Sequence, residues 1–331
     1  MKNLSNHSPC CPHSIFNGNY IDTHAHLWPD EYLDELEHLG STSVAVAKNI
    51  GASDKHSDLT KRLDMMNKAG VRYQLLSATP QVPQWGSPSD AEKLSQIINN
   101  VYYNLIEKYP KRFIAYGTVP LPYVDEAIKE ARRCILDLGF KGIAINTLIN
   151  DKISIADERF YPFYEELNRL GTILYIHPTG CGANSPMIND YNLEWVIGAP
   201  IEDTLATLQL LKADIPYKYP NIRFHVAHLG GVIPYMMQRI EDNFSDWSAF
   251  KRSPYKELKR FYFDTANFHA PSLKCMIETF GSEHLLLGSD FPYFQNDKYT
   301  RAVTYIKEAG LSDEVIESIL VNNAWKLLNL K

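Results

Sequence analysis

At 331 residues, with 45% hydrophobic and 22% charged residues, the chain can build one large α/β barrel domain with an ample core. A net charge of -6 and the absence of any Lys/Arg cluster exclude a nucleic-acid footprint, and no apolar run is long enough to span a bilayer. The first residues lack the apolar stretch of a secretory signal, and five cysteines without framework spacing fit a reducing cytoplasm.

Residues 1–19 read as a flexible N-terminal extension, and residues 20–331 as one domain. The extension holds His7, Cys10, Cys11 and His13, whose spacing is not that of a zinc finger. The first strand ends at His24-Ala25-His26. A helical segment at 29–39 follows, then a loop at 41–57 with a short strand at 44–46. Further strands are expected at 71–78, 112–119, 141–146, 172–177, 222–228, 261–264 and 285–290. Helical patterns fall between them at 58–69, 90–109, 123–138, 159–169, 200–213, 232–243 and 271–280, and a last one at 312–328. Eight short apolar strands alternating with helices call for a single (β/α)8 TIM barrel with C-terminal helices. A doubly wound sheet would carry a Gly-rich phosphate turn after an early strand, and none is present.

Polar residues cluster at the strand ends. His24 and His26 end the first strand, His177 the fifth, His228 the sixth, Asp264 the seventh and Asp290 the eighth. Barrel enzymes place their chemistry at these C-terminal strand ends. In an extended strand, His24 and His26 leave the same face. Three imidazoles and a carboxylate suit one divalent cation, so His24, His26, His177 and Asp290 are assigned as metal ligands. Zn²⁺ is the first choice and Mn²⁺ the alternative, with no organic cofactor. His228 is left over as acid/base, because imidazole titrates near neutrality. Asp264 is expected to orient a ligand or a water from behind.

These residues resemble the amidohydrolase superfamily, which is built on a metal-bearing (β/α)8 barrel. Many members use a carboxylated Lys at strand four to bridge two metals. Here that strand ends in Ile145-Asn146, with Lys141 at its start, so the resemblance implies a mononuclear site. The stretches 22–29, 66–71, 175–178, 195–200, 227–235 and 287–292 narrow it further. Together they are similar to the metal-dependent non-oxidative decarboxylases typified by aminocarboxymuconate-semialdehyde decarboxylase. The resemblance runs from about Tyr20 to the C-terminus.

In that branch an Arg downstream of the strand-six His meets a substrate carboxylate, in some cases across a dimer interface. Arg239 matches by spacing; its alternative is a surface Arg paired with Glu241 or Asp242. A second substrate-binding Arg, expected after strand one, has no match, since no Arg lies between Trp28 and Thr60. Lys48 there lacks the planar fork of an Arg. This departure favours a salicylate-like or other hydroxybenzoate acid, as handled by 6-methylsalicylate and resorcylate decarboxylase relatives. Some of those carry Glu in place of the first His, and His24 departs from them. Trp85, Trp195, Phe291 and Phe294 are candidate walls for a planar ring.

The expected reaction is decarboxylation of an aromatic or unsaturated acid, with His228 and Asp290 in proton transfer. The same site would also serve hydrolysis of a lactone or amide, or hydration of an enol acid. The expected partner is a small carboxylic acid, with no nucleic acid or membrane. The resemblance implies a homodimer or higher homo-oligomer.

Overall fold

The computed structural model describes residues 18–330. The expected N-terminal extension, with its cysteines and histidines, lies outside the described residues except for Gly18 and Asn19. Eight strands form one parallel sheet in chain order. They are β1 (Tyr20–His26), β2 (Val71–Ser77), β3 (Phe113–Thr118), β4 (Gly142–Asn146), β5 (Ile173–His177), β6 (Arg223–Val226), β7 (Tyr262–Asp264) and β8 (Leu285–Leu286). The sheet closes on itself beyond β8. The Thr23 N–H donates to Leu287 O at 2.8 Å, Asp290 N–H to His24 O at 2.9 Å, and His26 N–H to Phe291 O at 2.7 Å. This is the (β/α)8 barrel expected from the sequence pattern.

The pleat sorts side chains into two apolar layers. In β5, Ile173 and Tyr175 join the cluster inside the barrel, while Leu174 and Ile176 join the one beneath the helices. His177 continues the inward phase and so arrives at the rim facing the axis. In β7, Tyr262 points inward and Phe263 outward, which sets Asp264 inward. At the bottom, Ala324, Leu327 and Leu328 pack into the inner cluster and close the barrel with apolar side chains.

Strand β1 would miss this phase without a bulge. Ile21 lies in the inner cluster and Ala25 in the outer one, although both are odd-numbered. The register shows why: Asp22 pairs with Gln74 and Ala25 with Leu76, so Thr23 and His24 together face Leu75. One extra residue in β1 reverses the alternation. It turns His24 and His26 inward and leaves Asp22 on the helix side.

Local signals fix the helices. The helix Pro88–Lys108 starts with a reciprocal cap: Asp90 N–H donates to Ser87 Oγ at 3.2 Å, and Ser87 N–H to Asp90 Oδ2 at 3.0 Å. The expected strand at 44–46 is instead a 3-10 turn, Val44–Val46. The expected helix at 123–138 runs as Val124–Arg132 and then widens to a π pitch over Arg133–Asp137. The last strand is shorter than its apolar run, because residues from Leu287 onward bond to β1 and to Ile319 instead of to β7. The helix Asp297–Lys307 and the hairpin Leu148–Ile149/Ile153–Ser154 occupy stretches to which the sequence pattern assigns nothing. Among the described residues, no helix is long and apolar enough to cross a membrane.

Candidate active site

Four side chains converge at the C-terminal rim. One ligand-capable atom each from His24, His26, His177 and Asp290 lies within 4.8 Å of the others. All four residues are buried. His24 Nε2, His26 Nε2, His177 Nε2 and Asp290 Oδ1 have no hydrogen-bond partner among the described residues. Four polar atoms so orphaned are costly unless something binds them together.

The opposite nitrogens show how the rings are held. His24 Nδ1–H donates to Asp264 Oδ2 at 3.0 Å, and His177 Nδ1–H donates to the Pro178 carbonyl at 2.9 Å. His26 Nδ1 lies 3.1 Å from Ser77 Oγ. The Asp264 and Pro178 acceptors fix the proton on Nδ1 of His24 and His177 and direct the Nε2 lone pairs to the common point, and the Ser77 hydroxyl can accept from His26 in the same way. The donor set of three imidazoles and one carboxylate fits a divalent metal site.

The electrostatics agree. Burial would lower the His24 imidazole, but Asp264 and Asp290 outweigh it and raise it to about 9. Asp290 is held well below the usual carboxylate range, against burial, chiefly by the neighbouring His24, with the His228 and His26 imidazoles also close by. The space between these carboxylates is thus set for positive charge. Burial pushes His26 down to about 4 and, with its imidazole neighbours, pushes His177 well below its ordinary value. Both are therefore neutral and available as ligands.

His228 stands beside this cluster, its Nε2 3.7 Å from Asp290 Oδ2. Plain alternation from β6 would turn it outward. A left-handed backbone at His228 (φ 52°) and Leu229 (φ 57°) swings it to the rim, where Asp264 Oδ1 accepts its backbone N–H at 3.1 Å. Gly231 permits the next step: a Cβ there would lie 2.0 Å from the Pro200 carbonyl. The helix Ala199–Lys212 can therefore close up and place Asp203 Oδ2 2.9 Å from His228 Nδ1. Burial opposes charge on His228, yet its hydrogen bond to Asp203 and the nearby Asp290 carboxylate hold its pKa well above the ordinary value. Asp203 itself is pushed up to about 7 by burial.

Above the cluster opens a cavity of about 460 Å³. His177, His228 and Asp290 form its polar floor, and Trp195, Phe268, Tyr293 and Phe294 are among its walls. No Lys or Arg is among the described residues that line it.

The expected site residues therefore separate. Trp195 and Phe294 line the cavity; Trp195 stacks on Tyr293 with ring centroids 6.0 Å apart. Phe291 does not line it. It bridges to Ala25, points outward with that residue and is fully buried, with the Arg62 guanidinium 4.2 Å from its ring centroid. Its assignment as a substrate wall is thus corrected: the phase of the strand end turns it into the outer core. Trp85 is also absent from the cavity lining. Arg239 lies exposed on the helix Ile233–Trp247, outside the cavity of its own chain. The sequence alternative for Arg239 is not realised either. Glu241 accepts from Ser253 Oγ and Tyr255 N–H, and Asp242 from Gln238.

Some residues that shape the site carry no signal in the motifs. Asp203 and Tyr293 are two. Asp22 lies within the 22–29 stretch, which gives no sign of its role: its carboxylate accepts from Ser289 Oγ at 2.6 Å, Gln74 Nε2 at 2.9 Å and Tyr299 OH at 3.1 Å, tying β1 to the residues before Asp290. Arg62 donates to the His26 carbonyl and, at 3.1 Å, to Gln74. Arg62 interrupts an otherwise apolar helix face of Leu59, Met66 and Ala69, which is a clue in the sequence, whereas Asp203 shares its buried face with Glu202, Thr204 and Thr207 and does not stand out.

Comparison with known proteins agrees with this geometry. The Amidohydrolase family model matches residues 21–330. A 2-amino-3-carboxymuconate-6-semialdehyde decarboxylase of Dictyostelium discoideum is 31% identical, over 81% of this chain and 76% of its own. A 2-keto-4-carboxy-3-hexenedioate hydratase of a Sphingobium species is 26% identical, over 79% of this chain and 80% of its own. The crystal structure of a dihydroxybenzoic acid decarboxylase from a Polaromonas species, with bound manganese and the inhibitor 2-nitroresorcinol, superposes with a TM-score of 0.82. It is 22% identical and covers 95% of this chain and 97% of that one, a likeness of fold. The chain belongs to the amidohydrolase family, within its branch of non-oxidative decarboxylases.

Proposed function

We propose that this protein is a metal-dependent decarboxylase of a hydroxybenzoate-like aromatic acid. One observation carries the reading: four orphaned ligand atoms converge on the floor of an apolar, aromatic-walled cavity, with His228 beside them. His24, His26, His177 and Asp290 would hold the metal. Zn²⁺ and Mn²⁺ both suit the donors, and manganese occupies the Polaromonas relative. When bound, the metal supplies a Lewis acid for the substrate's carboxylate and a neighbouring oxygen.

The chain's own residues do the rest. Trp195, Phe268, Tyr293 and Phe294 exclude water and sandwich a flat ring. His228 holds a proton on Nε2, because Asp203 fixes the imidazole through Nδ1. That proton goes to the ring carbon bearing the carboxylate. The C–C bond then breaks, its electron pair restores the aromatic ring, and CO₂ leaves. His228, left neutral, regains a proton from solvent before the next turnover, and the ionised Asp290 carboxylate, 3.7 Å away, favours its return by stabilising the imidazolium. The absence of Lys and Arg from the described cavity lining supports a substrate without a second carboxylate, which sets it apart from carboxymuconate-type acids. Assembly into a homodimer or higher oligomer belongs to this proposal, since exposed Arg239 can serve a cavity only across an interface.

Hydration is the competing reading, favoured by the similarity to the Sphingobium hydratase. The test is CO₂ release from a panel of hydroxybenzoates and carboxymuconate-type acids by metal-loaded protein, with chelated protein as the control. Metal-dependent CO₂ from a hydroxybenzoate is expected. Tight metal binding with no CO₂ from any acid would overturn the reading and turn the search to enol acids and lactones.

A further inference from the structure

His24 and His177 both aim a lone pair at the common point, but they are backed differently. His24 Nδ1–H donates directly to the Asp264 carboxylate, whereas His177 Nδ1–H donates to a neutral backbone carbonyl, Pro178 O at 2.9 Å. Behind that carbonyl stands a buried carboxylate that the proposed reaction does not use. The other end of the same peptide, Thr179 N–H, donates to Glu202 Oε2 at 2.7 Å. The peptide is trans, so its C=O and N–H point to opposite sides, one toward each partner.

Glu202 is buried in the first turn of the helix Ala199–Lys212, next to Asp203. Its Oε2 also accepts from the Thr179 and Thr147 hydroxyls, each at 2.8 Å, and its Oε1 faces Ala183 N–H at 3.4 Å. Two backbone N–H groups and two hydroxyls thus converge on it, and all four are uncharged. Donors alone around a carboxyl are what its acceptor-only, ionised form requires. A glutamine could tie the same segments through its carbonyl oxygen without burying a charge, so the charge itself calls for a reason. The peptide supplies one. A carboxylate that accepts the N–H favours the resonance form with negative charge on the carbonyl oxygen, and hydrogen bonds in a chain strengthen one another.

We propose that Glu202 is a positioning residue for the metal site: through the Pro178–Thr179 peptide it strengthens the hydrogen bond that holds His177 with its Nε2 lone pair toward the metal. Glu202 does for His177, at one peptide's remove, what Asp264 does for His24 by contact. With Asp203 on His228, two consecutive residues of one helix support two histidines of the rim. The inference rests on the reading of His177 as a metal ligand, but not on which reaction follows.

The test compares wild type with Glu202→Gln and Thr147→Val. The second variant removes one hydrogen bond from Glu202 but leaves its charge and its bond to Thr179 N–H. Mn²⁺ is titrated into chelator-stripped protein, and the free ion is read by electron paramagnetic resonance. Glu202→Gln should weaken Mn²⁺ binding roughly 10–100-fold, and Thr147→Val by no more than about threefold. In the metal-free proteins, the His177 Nδ1 proton, read by NMR on isotope-labelled histidine, should move upfield in Glu202→Gln and stay in place in Thr147→Val. Unchanged Mn²⁺ affinity in Glu202→Gln, an unmoved Nδ1 proton, or an equal loss of affinity in Thr147→Val would each overturn the proposal. If Glu202→Gln does not fold, the wild type decides. On binding Zn²⁺, its Thr179 amide proton should move downfield by more than that of Ala183, which meets the same carboxylate but lies outside the peptide link. Equal or opposite shifts would overturn the proposal. A wild type that binds neither ion would sink both this inference and the metal-site reading. Failure of the reaction reading looks different: metal binding follows the expected pattern, yet no CO₂ appears.

Discussion

The two ends of the barrel are built from the same strands and obey opposite rules. At the bottom, Ala324, Leu327 and Leu328 meet Ile21, Leu75 and Tyr262 in a sealed apolar plug. At the top, the same inward-facing positions carry His24, His177, Asp264 and Asp290, several with atoms left unpaired. One end has its interactions satisfied within the chain, while the other holds them open for something outside it. Stability and function are thereby separated along a single axis.

The largest expected effect comes from the top. Replacing His228 with Ala should lower turnover by about 10²–10⁴-fold, as for loss of a general acid, while bound metal measured by elemental analysis stays at the wild-type level. Near-normal turnover would remove His228 from the mechanism. At the bottom, Leu327→Ala should destabilise the fold by about 2–5 kcal/mol in denaturant unfolding, because the side chain is fully buried. Activity per folded molecule should not change; a fall would mean that the two ends are coupled.

A subtler break is Asp203→Asn, which keeps the shape beside His228 but removes the charge. Turnover should fall roughly 10–100-fold, as for other groups that orient a site residue from behind. The midpoint of unfolding should move far less than for Leu327→Ala.

The smallest effect lies on the flank, away from both ends. Glu166 accepts two bonds from Arg132 at 2.8 and 3.0 Å and two from Arg169 at 3.0 and 2.6 Å. These hydrogen bonds lower its pKa from 4.5 to about 2. A carboxylate depressed on folding adds stability that is present above its unfolded pKa and is lost as pH falls through the folded one. Both guanidinium groups are more than half exposed, so Glu166→Gln should cost only about 1 kcal/mol at neutral pH. Unfolding curves of the two proteins should converge between pH 4.5 and 2. Parallel curves across that window would show that the cluster contributes nothing.

Much of the top end was legible because strand ends announce themselves. His177 follows four apolar residues and precedes a proline, and Asp264 ends a run of aromatics, so type and position were readable together. Phase was not readable. Nothing in Asp22-Thr23-His24 signals the bulge that turns the histidines inward, and the same blindness put Phe291 on the wrong side of its strand. Asp203 escaped for another reason. Its partner is 25 residues away, and only the close approach at Gly231 brings the two elements together. The 3-10 turn at Val44–Val46 shows the limit of propensity, since two β-favouring valines with no neighbouring strand do not make one.

The seam between β1 and β8 has one more consequence. His24 and His26 are among the first residues of the barrel to leave the ribosome, and Asp290 is among the last. A growing chain exposes its histidines early, but it cannot offer a complete ligand set until the final strand has emerged and paired. Loading is therefore a closing event in the life of the new protein, and a nascent chain that stalls before Asp290 presents only part of the site to the cell's metal supply.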